Sequence, residues 1–282
     1  MLDPAQTETL ARALGDSPET VISLHLLRRG LGRAWVAGTP ASPRAVVVEP
    51  LAFDLGEPMA FGTDPAEIWT LLAEIDDWWC VNVAPGVAND LAARIEDTTS
   101  RPVAFEDDIY LTLRHAPSVS IHPCVRRLAS IDLPLLLSAS AGFEPSGFAG
   151  WEELIAESVA AGAIANGKMV SLAYVSAASP GHANLTIATL PAHRRRGFAT
   201  SCAALVVGAI VAAGGIAVWS AGASNAASLA VARRLGFAEV KRRVYLVLGD
   251  DACREMERTN PPPRSGGLSA LDADIGHCTI LP

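Results

Sequence analysis

The most constraining feature of the sequence is the stretch from Cys202 to Trp219, in which every residue is apolar or glycine. Such a run approaches the ~20 residues that a helix needs to cross a bilayer. The pair Gly214-Gly215 interrupts it, however, and glycine there ends a helix. Apolar residues before this pair recur at helical spacing, at Cys202, Leu205, Val206, Ala209 and Ala213. The run therefore predicts a core helix followed by a buried strand, Ile216 to Ala221, in preference to a membrane span.

Composition limits the classes of partner. The chain has 282 residues and a net charge of -8, with 18% charged and 50% hydrophobic residues. This acidic balance disfavours a broad nucleic-acid surface, which needs clustered Lys and Arg. The five cysteines are scattered without a C-x-x-C pair, which predicts reduced thiols and no metal site. Early acidic residues, Asp3 and Glu8, argue against a secretory signal, so we expect a cytoplasmic protein without a membrane partner.

The order of predicted elements divides the chain into two units. Residues 1–115 form a first α/β unit, 116–123 a linker, 124–249 a second unit, and 250–282 an irregular tail rich in Pro and Gly. In the first unit, Asp64-Pro65-Ala66-Glu67 predicts a helix start with an N-cap and a capping-box glutamate. Pro102 to Phe105 and Ile109 to Arg114 are predicted as two strands across an acidic turn.

The second unit is predicted to begin with a short strand near Cys124. A helix follows from Trp151 to Ala160, and Asn166-Gly167 marks a tight hairpin because both residues tolerate positive φ. A further strand runs from Asn184 to Leu190. The expected fold class is α/β (α+β), with a mixed, mostly antiparallel sheet flanked by helices.

An anion-binding arrangement follows this last strand. The strand leads through three consecutive arginines and Gly197 directly into the long apolar helix. A helix N-terminus offers unpaired N–H groups and the positive end of the helix dipole, and glycine lets a phosphate approach the backbone. The arginines add positive charge, although a solvated helix start would also explain them. The loop therefore predicts a pyrophosphate site.

At Arg194, Gly197 and Ala199, and again at Asn225 to Phe237 with its N-x-x-S and L-G-F residues, the sequence resembles the GNAT superfamily of N-acetyltransferases. The resemblance covers residues 124–248. It implies that the strands before and after the long helix splay apart, with the pantetheine arm of acetyl-CoA lying between them. Backbone groups around Ala188 to Leu190 are expected to polarise the thioester carbonyl.

The resemblance also implies which residues bind the cosubstrate. Asn225 would contact the pantetheine arm, although a helix N-cap explains it equally. The residues expected to bind CoA are Ile187, Ala188, Thr189, Leu190, Arg194, Arg195, Arg196, Gly197, Phe198, Ala199, Thr200, Asn225 and Ser228.

Catalytic residues are less clearly defined. Many family members place a carboxylate base on the strand before the loop, where this chain has Asn184 and Thr186, and a tyrosine acid where it has Ala232. Ser228 is the candidate substitute for the acid, and an ordinary helix-start serine is the alternative. His182 and His193 are each candidates for a proton relay through water. The alternative is that each is an ordinary surface histidine. The catalytic candidates are therefore Ser228, Asn184 and His182.

The first unit resembles a degenerate copy of the second, a layout similar to that of glycine N-acyltransferase-like proteins. The segment Glu57 to Asp64 stands where its phosphate loop would be, and its acidic residues would repel pyrophosphate. Phe143, Phe148 and Trp151 are expected either to cover the acceptor or to pack in the core.

Two functions follow as hypotheses. The first is transfer of an acyl group, with acetyl expected, from CoA to the primary amine of a small molecule by direct attack. The second is a CoA-binding module without turnover, because the carboxylate and the tyrosine are missing. A homodimer is an allowed assembly, and no metal is expected.

Overall fold

A computed structural model describes residues 2–51, 57–139 and 142–249, so the predicted tail lies outside the described residues. The chain alternates strands with helices on both sides of a sheet. The helices are α1 Pro4–Leu14, α2 Val21–Arg29, α3 Pro65–Leu72, α4 Pro85–Thr99, α5 Leu133–Leu137, α6 Trp151–Glu157, α7 Phe198–Ala212 and α8 Ala226–Leu235. The strands are β1 Gly32–Thr39, β2 Ser42–Pro50, β3 Met59–Gly62, β4 Cys80–Val83, β5 Val103–Leu113, β6 Val125–Arg127, β7 Ala160–Ala165, β8 Lys168–Ala178, β9 His182–Thr189, β10 Ile216–Gly222 and β11 Ala238–Leu248.

All described strands belong to one sheet in the order β1-β2-β3-β4-β11-β5-β10-β9-β8-β7-β6. The pairs β3–β4 and β9–β10 are parallel, and the other neighbouring pairs are antiparallel. The molecule is thus a mixed α/β protein with a large, mostly antiparallel open sheet flanked by helices. This confirms the predicted fold class.

The two halves repeat one order of elements. The series β3–α3–β4–α4–β5 corresponds to β9–α7–β10–α8–β11. Their last strands are exchanged, because β11 lies between β4 and β5, while β5 lies between β11 and β10. The sheet therefore crosses the predicted boundary at residue 115, and the division of the chain into two domains stays a prediction.

Helix α7 explains the long apolar run. Helix α7 packs on the strands of the second half. Its residues Cys202, Ala203 and Val206 are fully buried in this contact. The helix ends at Ala212, Gly214 takes a φ of 82°, and β10 begins at Ile216. The predicted helix followed by a buried strand is confirmed. Among residues 2–51, 57–139 and 142–249, no helix is long and apolar enough to cross a membrane.

Three local predictions need correction. The Asp64 side chain caps α3 by accepting a hydrogen bond from the Ala66 N–H at 2.8 Å, but Glu67 pairs with Arg44 at 2.6 Å and forms no capping box. The predicted acidic turn lies within the continuous strand β5, because β10 and β11 pair with it on both sides. The predicted phosphate-loop equivalent from Glu57 to Asp64 contains β3.

Other predicted boundaries shift by a few residues. Helix α6 ends at Glu157 because β7 begins at Ala160. The hairpin between β7 and β8 is confirmed, with φ values of 51° at Asn166 and 73° at Gly167. The described cysteines, Cys80, Cys124 and Cys202, are free thiols.

Candidate functional site

The two parallel strands of the second half form a wedge-shaped gap. Strand β9 pairs with β10 only from His182 to Asn184, opposite Ile216 to Val218. Beyond these positions β9 pairs with β8 and β10 pairs with β5, so their facing edges separate. The wedge between β9 and β10 is the splay that the sequence predicted.

Hydrogen bonds at the strand ends show which backbone groups face the wedge. The Leu190 N–H donates to the Val170 carbonyl at 3.0 Å, and the Ala188 carbonyl accepts the Ser171 hydroxyl at 3.0 Å. Both residues therefore present their backbone groups to β8. Because these groups alternate along a strand, Ile187 and Thr189 present theirs to the wedge. Within the stretch around Ala188 to Leu190 that was expected to polarise the carbonyl, Thr189 thus faces the wedge, as does Ile187 just before it.

On the other edge, the Ile216 N–H donates towards β9, to the Gly181 carbonyl at 2.9 Å, whereas the Ala223 N–H donates to Asp107 of β5. The same alternation turns the backbone groups of Ser220 and Gly222 towards the wedge. Both edges of the wedge therefore offer strand hydrogen-bonding groups to a ligand that carries amides.

The loop between β9 and α7 has the backbone geometry of an anion cradle. Arg195 and Gly197 both take positive φ values, 60° and 78°. Positive φ is costly for arginine, and such strain is concentrated at binding sites. Gly197 stands at the N-cap of α7 and cannot supply a side-chain cap, so the first-turn N–H groups of the helix stay available.

Positive charge surrounds this cradle. In the described part of the chain, Arg194, Arg195 and Arg196 form no ion pair with a carboxylate, and the Arg194 Nε donates to the Thr189 carbonyl at 3.4 Å. The loop borders a cavity of about 400 Å³ between α7 and α8. Its lining is Thr189, His193, Arg194, Arg195, Arg196, Gly197, Phe198, Ala199, Thr200, Ala227, Ala230, Val231 and Arg234.

The predicted thiol-end residues lie at the start of α8. The Asn225 side chain accepts the Ser228 N–H at 3.0 Å, so it is the helix N-cap. The Ser228 hydroxyl is 3% exposed and accepts a hydrogen bond from the indole N–H of Trp219 at 2.9 Å. Trp219 packs on the α7 face of the sheet, and its contact gives Ser228 a structural role.

The opposite face of the wedge carries neutral polar groups. Leu185 and Ile187 pack towards α7, so alternation places His182, Asn184 and Thr186 on the face that α2 covers. Asn184 is fully buried and donates from Nδ2 to the Ser176 hydroxyl at 3.1 Å. An amide cannot accept a proton at neutral pH, so Asn184 can only position other groups.

Tyr174 is also on this face, but it is tied to the segment before α6. Its hydroxyl donates to the Glu144 carbonyl at 2.6 Å and accepts the Ser146 N–H at 2.9 Å. Burial raises the pKa of Tyr174 to about 12. With these contacts Tyr174 anchors a loop and is a poor proton donor to a thiolate.

The segment that was expected either to cover the acceptor or to pack in the core is buried in the protein. Phe143 and Phe148 are buried in a cluster with Leu154 and Tyr174. Helix α2 of the first half holds this segment, because the His25 imidazole bonds the Gly147 carbonyl at 2.8 Å. Residues of α2 therefore shape the wall of the second half.

His182 has a partner that sequence reasoning missed. Its Nδ1 lies 2.7 Å from the Asp16 carboxylate, which comes from the loop between α1 and α2. His193 lies instead on the phosphate loop, lining the cavity with the arginines. His182 and His193 thus lie at different ends of β9.

The corresponding gap in the first half is filled by the protein itself. Strands β3 and β4 pair only at Met59 and Asn82. The buried Arg243 guanidinium donates to the Ala60 carbonyl at 2.6 Å and to the Asn82 carbonyl at 3.1 Å, so it bridges both strands. Burial, and then the nearby Asp108 carboxylate, raise the pKa of Glu57 well above its ordinary value.

Comparison with known proteins finds a family to which the second half of the chain is similar. A family model described as GNAT acetyltransferase matches residues 130–245. No curated protein matches the chain. Across the described residues, no group of three or more His, Cys, Asp or Glu side chains is arranged to hold a metal ion.

Several solved structures share the whole architecture. A GCN5-related N-acetyltransferase-like protein from Streptococcus suis 89/1591 is 18% identical with a TM-score of 0.64, covering 87% of this chain and 99% of that one. A GCN5-related N-acetyltransferase from Kribbella flavida is 19% identical with a TM-score of 0.61, covering 87% and 97%. A tandem GNAT protein from the clavulanic acid biosynthesis pathway is 13% identical with a TM-score of 0.52, covering 86% and 93%.

Proposed function

We propose that the chain is an acyl-CoA-dependent N-acyltransferase that transfers acetyl to the primary amine of a small molecule, and the match of residues 130–245 to the GNAT acetyltransferase family model supports this proposal. The observation that carries the proposal is the loop from Arg194 to Gly197. It combines an uncapped helix N-terminus, a positive-φ glycine and three arginines without carboxylate partners in the described residues. These are the features that bind a pyrophosphate.

The wedge between β9 and β10 offers hydrogen-bonding groups to the pantetheine arm of the cosubstrate. Backbone groups of Ile187 and Thr189 face those of Ser220 and Gly222 across the gap, and the pantetheine amides can bond to such strand edges. An N–H group of β9 aimed at the thioester carbonyl would stabilise the negative charge that develops on its oxygen. The acceptor amine would approach from the α2 face, since α7 and its apolar contacts occupy the other.

The fit of these residues to CoA does not by itself establish turnover. Ser228 bonds Trp219, and Asn184 and Thr186 replace the carboxylate of many relatives. A CoA-binding module is therefore the second candidate function. It predicts affinity for CoA without release of its thiol.

Incubation with acetyl-CoA and a panel of primary amines, with free thiol followed over time, tests the proposal. We expect amine-dependent release of one thiol per amide formed, detected in parallel by mass spectrometry. Tight CoA binding in calorimetry with no thiol release for any amine would favour the module instead.

A further inference from the structure

A carboxylate of the first half binds the first residue of β9. Asp16 accepts the Ser179 hydroxyl at 2.6 Å and the Gly181 N–H at 2.7 Å, and its Oδ1 lies 2.7 Å from the His182 Nδ1. The His182 side chain is 13% exposed and that of Asp16 is 29% exposed. This contact joins residues 166 positions apart in the sequence.

The contact fixes the orientation and tautomer of the imidazole. Burial opposes ionisation of Asp16, but hydrogen bonds from Ser179, His182 and Gly181 outweigh it and hold its pKa below the ordinary value. An ionised carboxylate only accepts hydrogen bonds, so Nδ1 of His182 must donate. The neutral imidazole then keeps its lone pair on Nε2, which makes no hydrogen bond within the described residues.

His182 lies two residues before the point where the wedge opens. His182 and Asn184 lie on the same face of β9, about 6–7 Å apart along the strand. Asn184 is the last residue of β9 that pairs with β10, so the wedge opens directly beyond it. This is the face covered by α2, from which the acceptor would approach.

On the basis of the proposed acyltransferase function, we propose that His182 is the catalytic base for the acceptor amine and that Asp16 is the residue that positions it. The first half of the molecule thereby supplies a part of the active site that the second half lacks.

The proton and electron movements balance. Nε2 takes one proton from the acceptor ammonium, directly or through one water, and leaves a neutral amine. The amine lone pair forms the new C–N bond at the thioester carbonyl, and the C–S bond breaks. The second nitrogen proton goes to the departing sulfur, and His182 returns its proton to solvent.

Few charged groups act on this imidazole. In the described residues, the charged neighbour of His182 is Asp16, and the turn between β8 and β9 contributes the neutral Ser179 and Gly181. On the neighbouring strand β10, the residue paired with His182 is the uncharged Ile216. The decline of kcat at low pH is therefore expected to depend on the Asp16–His182 contact.

Two substitutions in the full chain test the assignment. His182→Gln removes the base, and Asp16→Asn places an amide donor against Nδ1, which forces the proton onto Nε2 and removes its lone pair. We expect each to lower kcat by about 10²–10⁴-fold, the usual range for a general base, and to abolish the decline of kcat at low pH. CoA affinity in calorimetry is expected to stay unchanged, because the phosphate loop lies at the other end of β9.

Ser179→Ala is the matched control. It removes one hydrogen bond to Asp16 and leaves the carboxylate–imidazole contact, so we expect a small loss of stability and a decline of kcat at low pH that is retained. If Asp16 only fastens the loop to the turn, Asp16→Asn will behave as Ser179→Ala does. That result would restrict Asp16 to a structural role and overturn the assignment.

A second outcome would overturn the assignment to His182. Glu106 accepts the Ser224 N–H at 2.9 Å beside the end of β10 and is an alternative carboxylate to test. Loss of the low-pH decline in Glu106→Gln, with its retention in His182→Gln, would assign the base to Glu106.

Side-chain ¹⁵N NMR separates this inference from the proposed function. We expect the Nδ1-protonated tautomer of His182 in the wild type and the Nε2-protonated tautomer in Asp16→Asn. Absence of that difference would refute the dyad even in an active enzyme. Absence of transfer to any amine by a wild-type protein that shows the expected tautomer would refute the acyltransferase function, and the catalytic role with it.

Discussion

At the scale of single residues, Gly197 is the position at which the proposed CoA site can be tested most directly. Its φ of 78° favours glycine, and an added Cβ would meet no atom within 4 Å. The space in front of it is thus open to a ligand. Gly197→Glu places a negative charge where a pyrophosphate would bind and strains the backbone by about 1–2 kcal/mol. We expect CoA affinity to fall at least 100-fold in calorimetry.

Gly167 provides the control for this variant. It also has a positive φ, 73°, and open space around its Cβ position, but it lies in the hairpin between β7 and β8. Gly167→Glu should therefore cost similar stability and leave CoA affinity unchanged. Equal loss of affinity in both variants would mean that backbone strain, and not the phosphate site, explains the effect.

The sites of Gly197 and Asp16 differ in how well they can be predicted from the sequence. The phosphate loop is predictable because its arginines, its glycine and the helix that follows are contiguous. The Asp16–His182 contact depends on how one half docks on the other, which no local pattern reports. We predicted a turn at the acidic residues 106–108 because Asp and Glu are depleted in strands. Strand β5 is nevertheless continuous there, since it pairs with a neighbouring strand on each side.

At the scale of elements, α2 fastens the first half to the second through a neutral histidine. The His25 Nδ1 accepts the Ala178 N–H at 3.2 Å, so its proton is on Nε2, which donates to the Gly147 carbonyl. Burial, and then Arg29, lower the pKa of His25 despite its hydrogen bonds. The contact between α2 and the second half therefore depends on an uncharged His25 imidazole.

This depressed pKa makes the free energy of unfolding depend on pH. The unfolded chain binds a proton on His25 near pH 6.5, whereas the folded protein resists it, so the stabilisation is complete above about pH 6.5 and is lost as pH falls towards the folded pKa. Urea unfolding of the wild type and of His25→Gln at pH 8, 6 and 5 measures this. We expect the wild type to lose stability relative to the variant as pH falls.

The exposed His115 offers the comparison. His115→Gln changes a histidine that makes no inter-half contact of this kind, so its difference from the wild type should vary less with pH. A constant difference between the wild type and His25→Gln across the three pH values would contradict the account of α2.

At the scale of the whole molecule, the exchange of last strands explains why only one half keeps a wedge for a ligand. Arg243 and Asp108 stand opposite each other on β11 and β5. From β11, the Arg243 guanidinium fills the gap between β3 and β4 and bonds both strands. Asp108 instead accepts the Asn82 amide at 2.8 Å. One exchanged strand therefore closes the gap of the first half, while the other pairs with β10 on the edge away from the wedge.

The same exchange predicts that neither half folds alone. A chain of residues 1–115 would lack β11, which pairs with both β4 and β5, and residues 116–282 would lack β5, which pairs with both β10 and β11. Each would expose unpaired strand edges and apolar surface. We expect each half expressed alone to aggregate or to show no cooperative unfolding, and the two expressed together to co-purify as one complex that binds CoA. Cooperative unfolding of either half by itself, measured by circular dichroism in urea, would show that the halves are independent domains that merely share a sheet.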